Sequence, residues 1–255
     1  MLLKDIYSKN YIIRLDINKN LSLSDCMLLY NLYNNINNHC IKIVVNNTNY
    51  SLNDSNINLI KDDLNWLLDM SIEINSISDY FKKIFEYTCQ LIKNGYAYVD
   101  DLTDNNSYKD RTIEENLGLF LRMNHGEFEP NEKVLRIKAN SLNDPIIYRI
   151  NTLQYPQIKT QFIYPVNEFA NIVIDYFNNI SWIITNNSIN LYKWFMDNFN
   201  YNSTLIVTRK INIDQNYTLK ELRDKNISPQ AIINFINQIV NYSGDQIKID
   251  KQNIL

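Results

Sequence analysis

The sequence predicts an α/β fold, a parallel sheet split by a small α+β insertion and ending in a helical segment. Three observations predict it. Ile41–Val45 is a short β-branched run bounded by Asn, as a buried strand should be. Strand and helix patterns then follow one another in the order strand, helix, helix, strand, which is how a parallel sheet with crossover helices reads. Further on, a capped helix precedes two short alternating runs, Val134–Lys138 and Ile146–Ile150, the pattern of a small α+β piece. The expected division is 1–100 for the first half of the sheet domain, 101–161 for the insertion, 162–215 for the second half, and 216–255 for a helical segment and tail.

The elements follow in order. Ile57, Ile60, Leu64 and Leu67 recur at helical spacing and predict an amphipathic helix over Asp54–Asp69. Asp79–Asn94 is a second, with Phe81, Phe85, Thr88 and Ile92 on one face and Gly95 closing it. Tyr96–Val99 reads as the next strand of the sheet. Thr112 and Glu115 have capping-box spacing, opening a helix that buries Leu117, Phe120 and Leu121. Ile172–Phe177 and Leu191–Phe199 are apolar enough for helices that return to the first layer. Thr218 and Glu221 make a second capping box. Ser228 and Pro229 are an N-cap and N1 pair for a helix with Ile232, Phe235, Ile236 and Ile239 inward.

Composition bounds the function. The 255 residues are 45% hydrophobic, with 18 Tyr and 10 Phe, enough for a full core. Gly is scarce at 4, where average usage of roughly 7% gives about 18. Asn fills the turns instead, because it tolerates left-handed geometry. The net charge of −3 argues against tight general RNA binding, in which phosphate contacts dominate affinity, and favours a basic protein partner. Three cysteines without motif spacing read as free thiols in a reducing compartment. The two histidines, His39 and His125, lie too far apart in sequence to suggest a metal motif. No signal-peptide pattern and no membrane-length apolar run occurs, so the expectation is a cytoplasmic protein with no metal and no cofactor.

From Ser78 onward the chain resembles glutaminyl-tRNA synthetase, a class I aminoacyl-tRNA synthetase. The resemblance rests on SDYFKKIFEYTCQLIKNGYAYVDDLT, on YKDRTIEENLGLFLRMNHGEFEPNEKVLRIKA, and on DPIIYRI at Asp144–Ile150. IYPVNEF at Ile163–Phe169, LYKWFMDN at Leu191–Asn198 and TLKELRDKNISPQAIINFINQIV at Thr218–Val240 extend it. It implies a Rossmann-type sheet split by an acceptor-stem-binding-like insertion. It also implies a truncated catalytic domain without anticodon-binding barrels.

The same resemblance implies a degenerate active site. The family's His-x-Gly-His tetrapeptide, whose imidazoles donate to the α-phosphate, aligns with Ser22, Leu23, Ser24 and Asp25. Neither His is present, and Asp25 brings a negative charge. Ser24 and Asp25 read more simply as helix N-capping residues. The Met-Ser-Lys loop corresponds to Ile206–Ile211, where Arg209 and Lys210 retain the only basic character. Asn46 and Asn47 stand where the family has the acidic groups that meet the substrate amine. Asn167 stands where a Tyr helps read the glutamine side chain. The chain is therefore expected not to be an enzyme.

What remains is binding. Arg111, Arg122, Lys133, Arg136, Lys138 and Arg149 are candidates for a phosphate-tracking face in the insertion, although Glu114, Glu115, Glu127, Glu129 and Glu132 are interspersed. The strand-separating loop of the family is cut to TDNNSYKD between Leu102 and Arg111. The favoured expectation is a pseudoenzyme that docks a protein. One concrete form is an immunity protein or antitoxin inhibiting a tRNA-targeting partner, such as a tRNA-cleaving toxin, by tRNA mimicry or tRNA-site likeness. The alternative is a protein that binds and shields a glutamine-type tRNA.

Overall fold

In chain order the strands are β1 (Ile12–Ile17), β2 (Cys40–Val45), β3 (Glu73–Ser76), β4 (Ala97–Asp101), β5 (Lys133–Ile137), β6 (Ile146–Ile150), β7 (Ile163–Pro165), β8 (Trp182–Thr185) and β9 (Thr204–Val207). The α-helices are α1 (Leu23–Asn35), α2 (Asp54–Leu68), α3 (Phe81–Lys93), α4 (Ile113–Asn124), α5 (Asn167–Phe177), α6 (Asn190–Phe199), α7 (Leu219–Asp224) and α8 (Pro229–Tyr242). These come from a computed structural model that describes residues 12–17, 21–35, 40–45, 54–68, 73–102, 108–151, 162–180, 182–185, 189–201, 203–207 and 217–242. The chain divides into two units, one of Met1–Ser76, Asn178–Ile189 and Asn202–Leu255, the other of Ile77–Phe177 and Asn190–Tyr201.

The first unit is built on a five-stranded sheet of order β3-β2-β1-β8-β9. Every pairing in it is parallel, with Leu15 opposite Ile43 on one side and Ile184 on the other. The strand order turns at β1, since β2 and β3 extend to one side and β8 and β9 to the other. Its helices bury the faces their periodicity dictates. Ile60, Leu64, Leu67 and Leu68 of α2 are inside, as are Leu23, Cys26, Met27 and Leu29 of α1. In α8 the inward residues are Ile232 and Ile236, whereas Phe235 is 44% exposed, contrary to the sequence expectation. Phe235 lies a full 100° of helix turn away from Ile236, so both cannot share a narrow buried stripe. The side chain of Ile239 lies outside the described residues.

The second unit carries a four-stranded antiparallel sheet of order β4-β5-β6-β7. Tyr98 faces Arg136 and Val99 faces Leu135, and Leu135 in turn faces Tyr148, with a register shift between Leu135 and Arg136. Helices α3, α4 and α5 supply aromatic residues to one core. Phe120 stacks on Phe85 at 5.1 Å and meets Tyr148 edge-on at 5.3 Å, and Phe169 reaches Tyr148 at 6.0 Å. Such pairs add roughly 0.5–1.5 kcal/mol each beyond their burial. Gly95 ends α3 at φ +77, and the amides of Gly95 and Tyr96 return to the carbonyls of Ile92 and Leu91.

Four expectations are corrected here. The strand over Tyr96–Val99 forms, but as β4, an edge of the antiparallel sheet and not a neighbour in the parallel one. Alternating strand and helix patterns cannot by themselves say which sheet a strand joins. Helices α5 and α6 belong with the antiparallel unit and not with the first layer. In α4 the buried residues are Asn116, Phe120 and Met123, while Leu121 is 39% exposed and Leu117 half-buried. Asn116 rotates the helix inward because its side chain is tied to β4, as described below. The second unit is also wider than the 101–161 insertion expected from sequence, since it takes in α3, α5 and α6.

Candidate functional site

In an open α/β sheet, ligands sit beyond the carboxyl ends of the strands where the order reverses. Here that place is the β1 end, and α1 is the helix that follows it. A helix start there is a ready anion site, because its first amides point outward and its dipole favours negative charge. In this chain the start is closed by its own side chains. The Ser22 amide and hydroxyl both donate to Asp25 Oδ2, at 3.0 and 2.6 Å. The Asp25 amide donates back to Ser22 Oγ at 3.3 Å. This is a capping box with Asp in the acidic position. Ser22 Oγ also lies 2.9 Å from Ser24 Oγ, and Ser24 is buried. The cap is therefore Ser22 with Asp25, not Ser24 with Asp25 as expected from sequence.

A second closure comes from the strand-like run before α7. The Leu23 amide donates to the Tyr217 carbonyl at 2.8 Å, and the Leu219 amide donates to the Leu21 carbonyl at 2.9 Å. Ser22 and Thr218 form the antiparallel bridge between them. The amides of Ser22, Leu23 and Asp25 are thus all engaged within the chain. Behind them, burial pushes the Cys26 thiol well up, and the carboxylates of Asp25 and Asp63 add to the shift. It is no nucleophile at neutral pH. Asp63 is fully buried, accepts from Arg223 Nη1 at 2.7 Å, and is still raised, because burial outweighs the guanidinium. Arg223 also lies over the Trp66 ring at 5.1 Å, so α7 is tied to α2.

The remaining synthetase-like positions divide cleanly. Asn167 opens α5 and is half-buried. Asn46, Asn47, Arg209 and Lys210 lie outside the described residues. Among the described residues, no three His, Cys, Asp or Glu side chains group to hold a metal ion. No described helix is long and apolar enough to cross a membrane.

The six candidate cations of the antiparallel unit do not form one free face. Arg136 is buried, with Nε 2.9 Å from Asp100 Oδ2 and Nη1 donating to the Asp144 carbonyl at 3.1 Å. Arg111 donates to the Val99 carbonyl at 2.7 Å and lies 3.8 Å over the Tyr108 ring. Asn116 Oδ1 accepts from the Val99 amide at 2.8 Å. Together Arg111 and Asn116 satisfy the open edge of β4 as another strand would. Arg122 pairs with Glu127 at 2.6 Å and Lys133 with Asp101 at 2.5 Å, and both flank the Phe128 ring. Lys138 sits 5.9 Å from the Tyr98 ring centre. Arg149 is exposed, and its side chain makes no hydrogen bond or ion pair with the described residues.

Sequence reasoning missed a polar cluster beside this pair. Tyr98 donates to Asp144 Oδ2 at 3.2 Å, and Lys109 pairs with the same carboxylate and with Asn140. Asp144 is buried at a left-handed φ of 45. Asn and Asp are the residues that tolerate that geometry, but the sequence offers no local cue to the partners.

The parallel sheet, its reversal at β1 and the helix that follows define a Rossmann-like α/β unit. A family model described as tRNA synthetases class I (E and Q), catalytic domain, matches residues 26–248. The chain belongs to this family. Among curated relatives, a glutamine–tRNA ligase of Neisseria gonorrhoeae is 35% identical over 173 residues, which are 57% of this chain and 31% of the relative. One from Buchnera aphidicola is 31% identical over 236 residues, covering 72% of this chain and 41% of the relative. The crystal structure of a glutamate tRNA ligase from Elizabethkingia meningosepticum shares the fold, with a TM-score of 0.55 at 14% identity over 85% of this chain and 53% of that one. The chain spans less than half the length of these curated relatives. The matched span opens immediately after Asp25, so the equivalence of Ser22–Asp25 with the family's first signature rests on the place of α1 after β1.

Proposed function

We propose that this chain is a non-catalytic glutaminyl-tRNA-synthetase-like module that acts by binding. The observation that carries the reading is the closed start of α1, where Asp25 takes the Ser22 amide and hydroxyl and the Leu23 and Asp25 amides are bonded within the chain. A triphosphate approaching that position meets a carboxylate and finds the amides of Ser22, Leu23 and Asp25 already bonded. Losing a single transition-state donor costs about 10²- to 10³-fold in rate. Here the two imidazoles that the resemblance implies are replaced by Ser22 and Asp25, so adenylation has no electrostatic support at this point.

The preferred partner is a protein. Of the six candidate phosphate contacts, Arg122, Lys133 and Arg136 are paired with carboxylates and Arg111 with a carbonyl. Desolvating them against RNA means breaking those pairs first. An immunity protein or antitoxin against a tRNA-targeting enzyme is the concrete form of this reading, and the net charge of −3 suits a basic partner. The second reading is a tRNA-binding protein, favoured by family membership and by the exposed, unengaged Arg149. A native pull-down from the source cells, with RNA and protein analysed separately, decides between them. The expected result is a stoichiometric protein that survives nuclease treatment. An enriched glutamine-type tRNA and no such protein replaces the first reading with the second.

A further inference from the structure

Helix α7 is braced within itself and held to the rest of its unit at two places. Within it, Thr218 and Glu221 form the capping box, and the Asn226 amide returns to the Arg223 carbonyl at 2.8 Å. The Lys225 ammonium lies 4.1 Å over the Tyr217 ring and joins the two ends of the segment, so 217–225 is one rigid piece. Its buried side chains are Leu219 and Leu222. One holding place is the pair of backbone bonds that join Leu23 to Tyr217 and Leu219 to Leu21. The other is the bond from Arg223 Nη1 to Asp63 Oδ1, between residues 160 apart in the chain. Asp63 is fully buried, and its second oxygen, Oδ2, has no hydrogen-bond partner among the described residues.

We infer that α7 is a latch over the start of α1, and that the bond between Arg223 and Asp63 keeps it shut. Because the piece is rigid, swinging it away breaks both holding places together. The Leu23 amide loses the Tyr217 carbonyl, and the Asp63 carboxylate is left buried without its cation. A buried charge stripped of its partner is strongly disfavoured, so Asp63, on α2, holds closed a contact made at α1. Helix α8, which also packs on α2, carries no charged side chain and offers no replacement for Arg223. Arg223 is therefore a positioning residue for the α1 start, acting through the backbone bridge at Thr218. When the latch opens, the ligand position beyond β1 regains the Leu23 amide as a free donor. The inference rests on the closed start proposed above, but the latch is read from backbone amides and not from nucleotide. It stands or falls whether or not the chain adenylates.

Native-state hydrogen exchange of the full chain, resolved amide by amide over a low-urea series, tests it. In the wild type the Leu23 and Leu219 amides are expected to open in one step with those of Lys225 and Ile227, about tenfold or more faster than the amides of β1 and β2. Arg223→Met keeps a flexible apolar chain over the Trp66 ring and removes the cation. It is expected to speed exchange at Leu23 and Leu219 about tenfold more than it speeds β1 and β2. Arg223→Lys, which restores the charge, is expected to return most of that protection. Wild-type exchange at Leu23 and Leu219 that follows the sheet, or that is separate from Lys225 and Ile227, overturns the inference, and this result needs no variant to fold. So does an Arg223→Met chain in which Leu23 is unmoved or the sheet loosens equally, or an Arg223→Lys chain as loose as Arg223→Met.

Discussion

The two units neutralise their polar groups by different routes, and the difference sets how reversible each is. In the parallel-sheet unit the carboxylate part of the closure at α1 is local, since Ser22 and Asp25 belong to the same helix turn, although Tyr217 adds a distant bond to the Leu23 amide. In the antiparallel unit Arg136 and Asp100 are 36 residues apart and meet only because β4 and β5 pair. A local closure contributes little to the fold and is removed by one substitution. A cross-strand closure is part of the fold.

The largest effect is expected at Arg136. Arg136→Ala leaves the Asp100 carboxylate buried without its cation and should destabilise the chain by about 3–5 kcal/mol. Replacing both residues by apolar ones of similar volume should recover most of that loss. Urea unfolding of the single and double variants measures both. A single-variant loss no larger than that of an exposed pair would remove the contrast between the units.

Asp63 gives the next effect, and it depends on pH. Its carboxyl is raised by burial in the folded state, so the folded protein holds the proton more tightly than the unfolded chain does. The stability from this group is fully present below the unfolded carboxyl range and is lost as pH rises through the higher folded value. Asp63→Asn should therefore flatten the stability profile between acid and neutral pH relative to wild type. Melting both proteins across that range checks it, and a steeper loss on acidification at Asp63 than at Asn would contradict the assignment.

The capping boxes come third. Thr112 and Thr218 each accept from the glutamate amide three residues on, and Glu115 and Glu221 reach back to the Thr amides. Thr112→Ala and Thr218→Ala should each cost about 1 kcal/mol, and Ser22→Ala a similar amount. Equal losses at the three starts would mark Ser22 as an ordinary cap.

The smallest effect on stability is expected at Arg149, whose side chain is exposed and engages no described residue. Arg149→Ala should leave unfolding within experimental error. Under the tRNA-binding reading it lowers RNA affinity at low salt more than at high salt, and under the protein reading it changes RNA retention not at all. A filter-binding series against salt separates the two.

What the sequence disclosed follows the same division between local and distant. The boxes at Thr112 and Thr218 and the Gly95 stop were readable because each is a short spacing rule. So were α2 and the amphipathic α3, whose apolar periods are long, and β2, a β-branched run bounded by Asn. Strands β3, β8 and β9 have four residues each and were not separable from loop by pattern. The cap at α1 was read two residues late, because Ser24 and Asp25 also suit the role and only the backbone tells which serine precedes the first turn. Nothing local announces that Arg111 and Asn116 close the β4 edge or that Tyr98, Lys109 and Asp144 converge. Those roles exist only once the sheet has formed, and they turn residues that look like ligand contacts into structure.

The claim that the α1 start no longer serves a phosphate is met most directly by ATP–pyrophosphate exchange with the purified full chain, supplied with glutamine or with glutamate. The account expects no exchange above a blank without protein for either amino acid. Exchange that travels with the protein peak through gel filtration would contradict it, and would mean that the bonds among Ser22, Asp25 and Tyr217 open when nucleotide arrives.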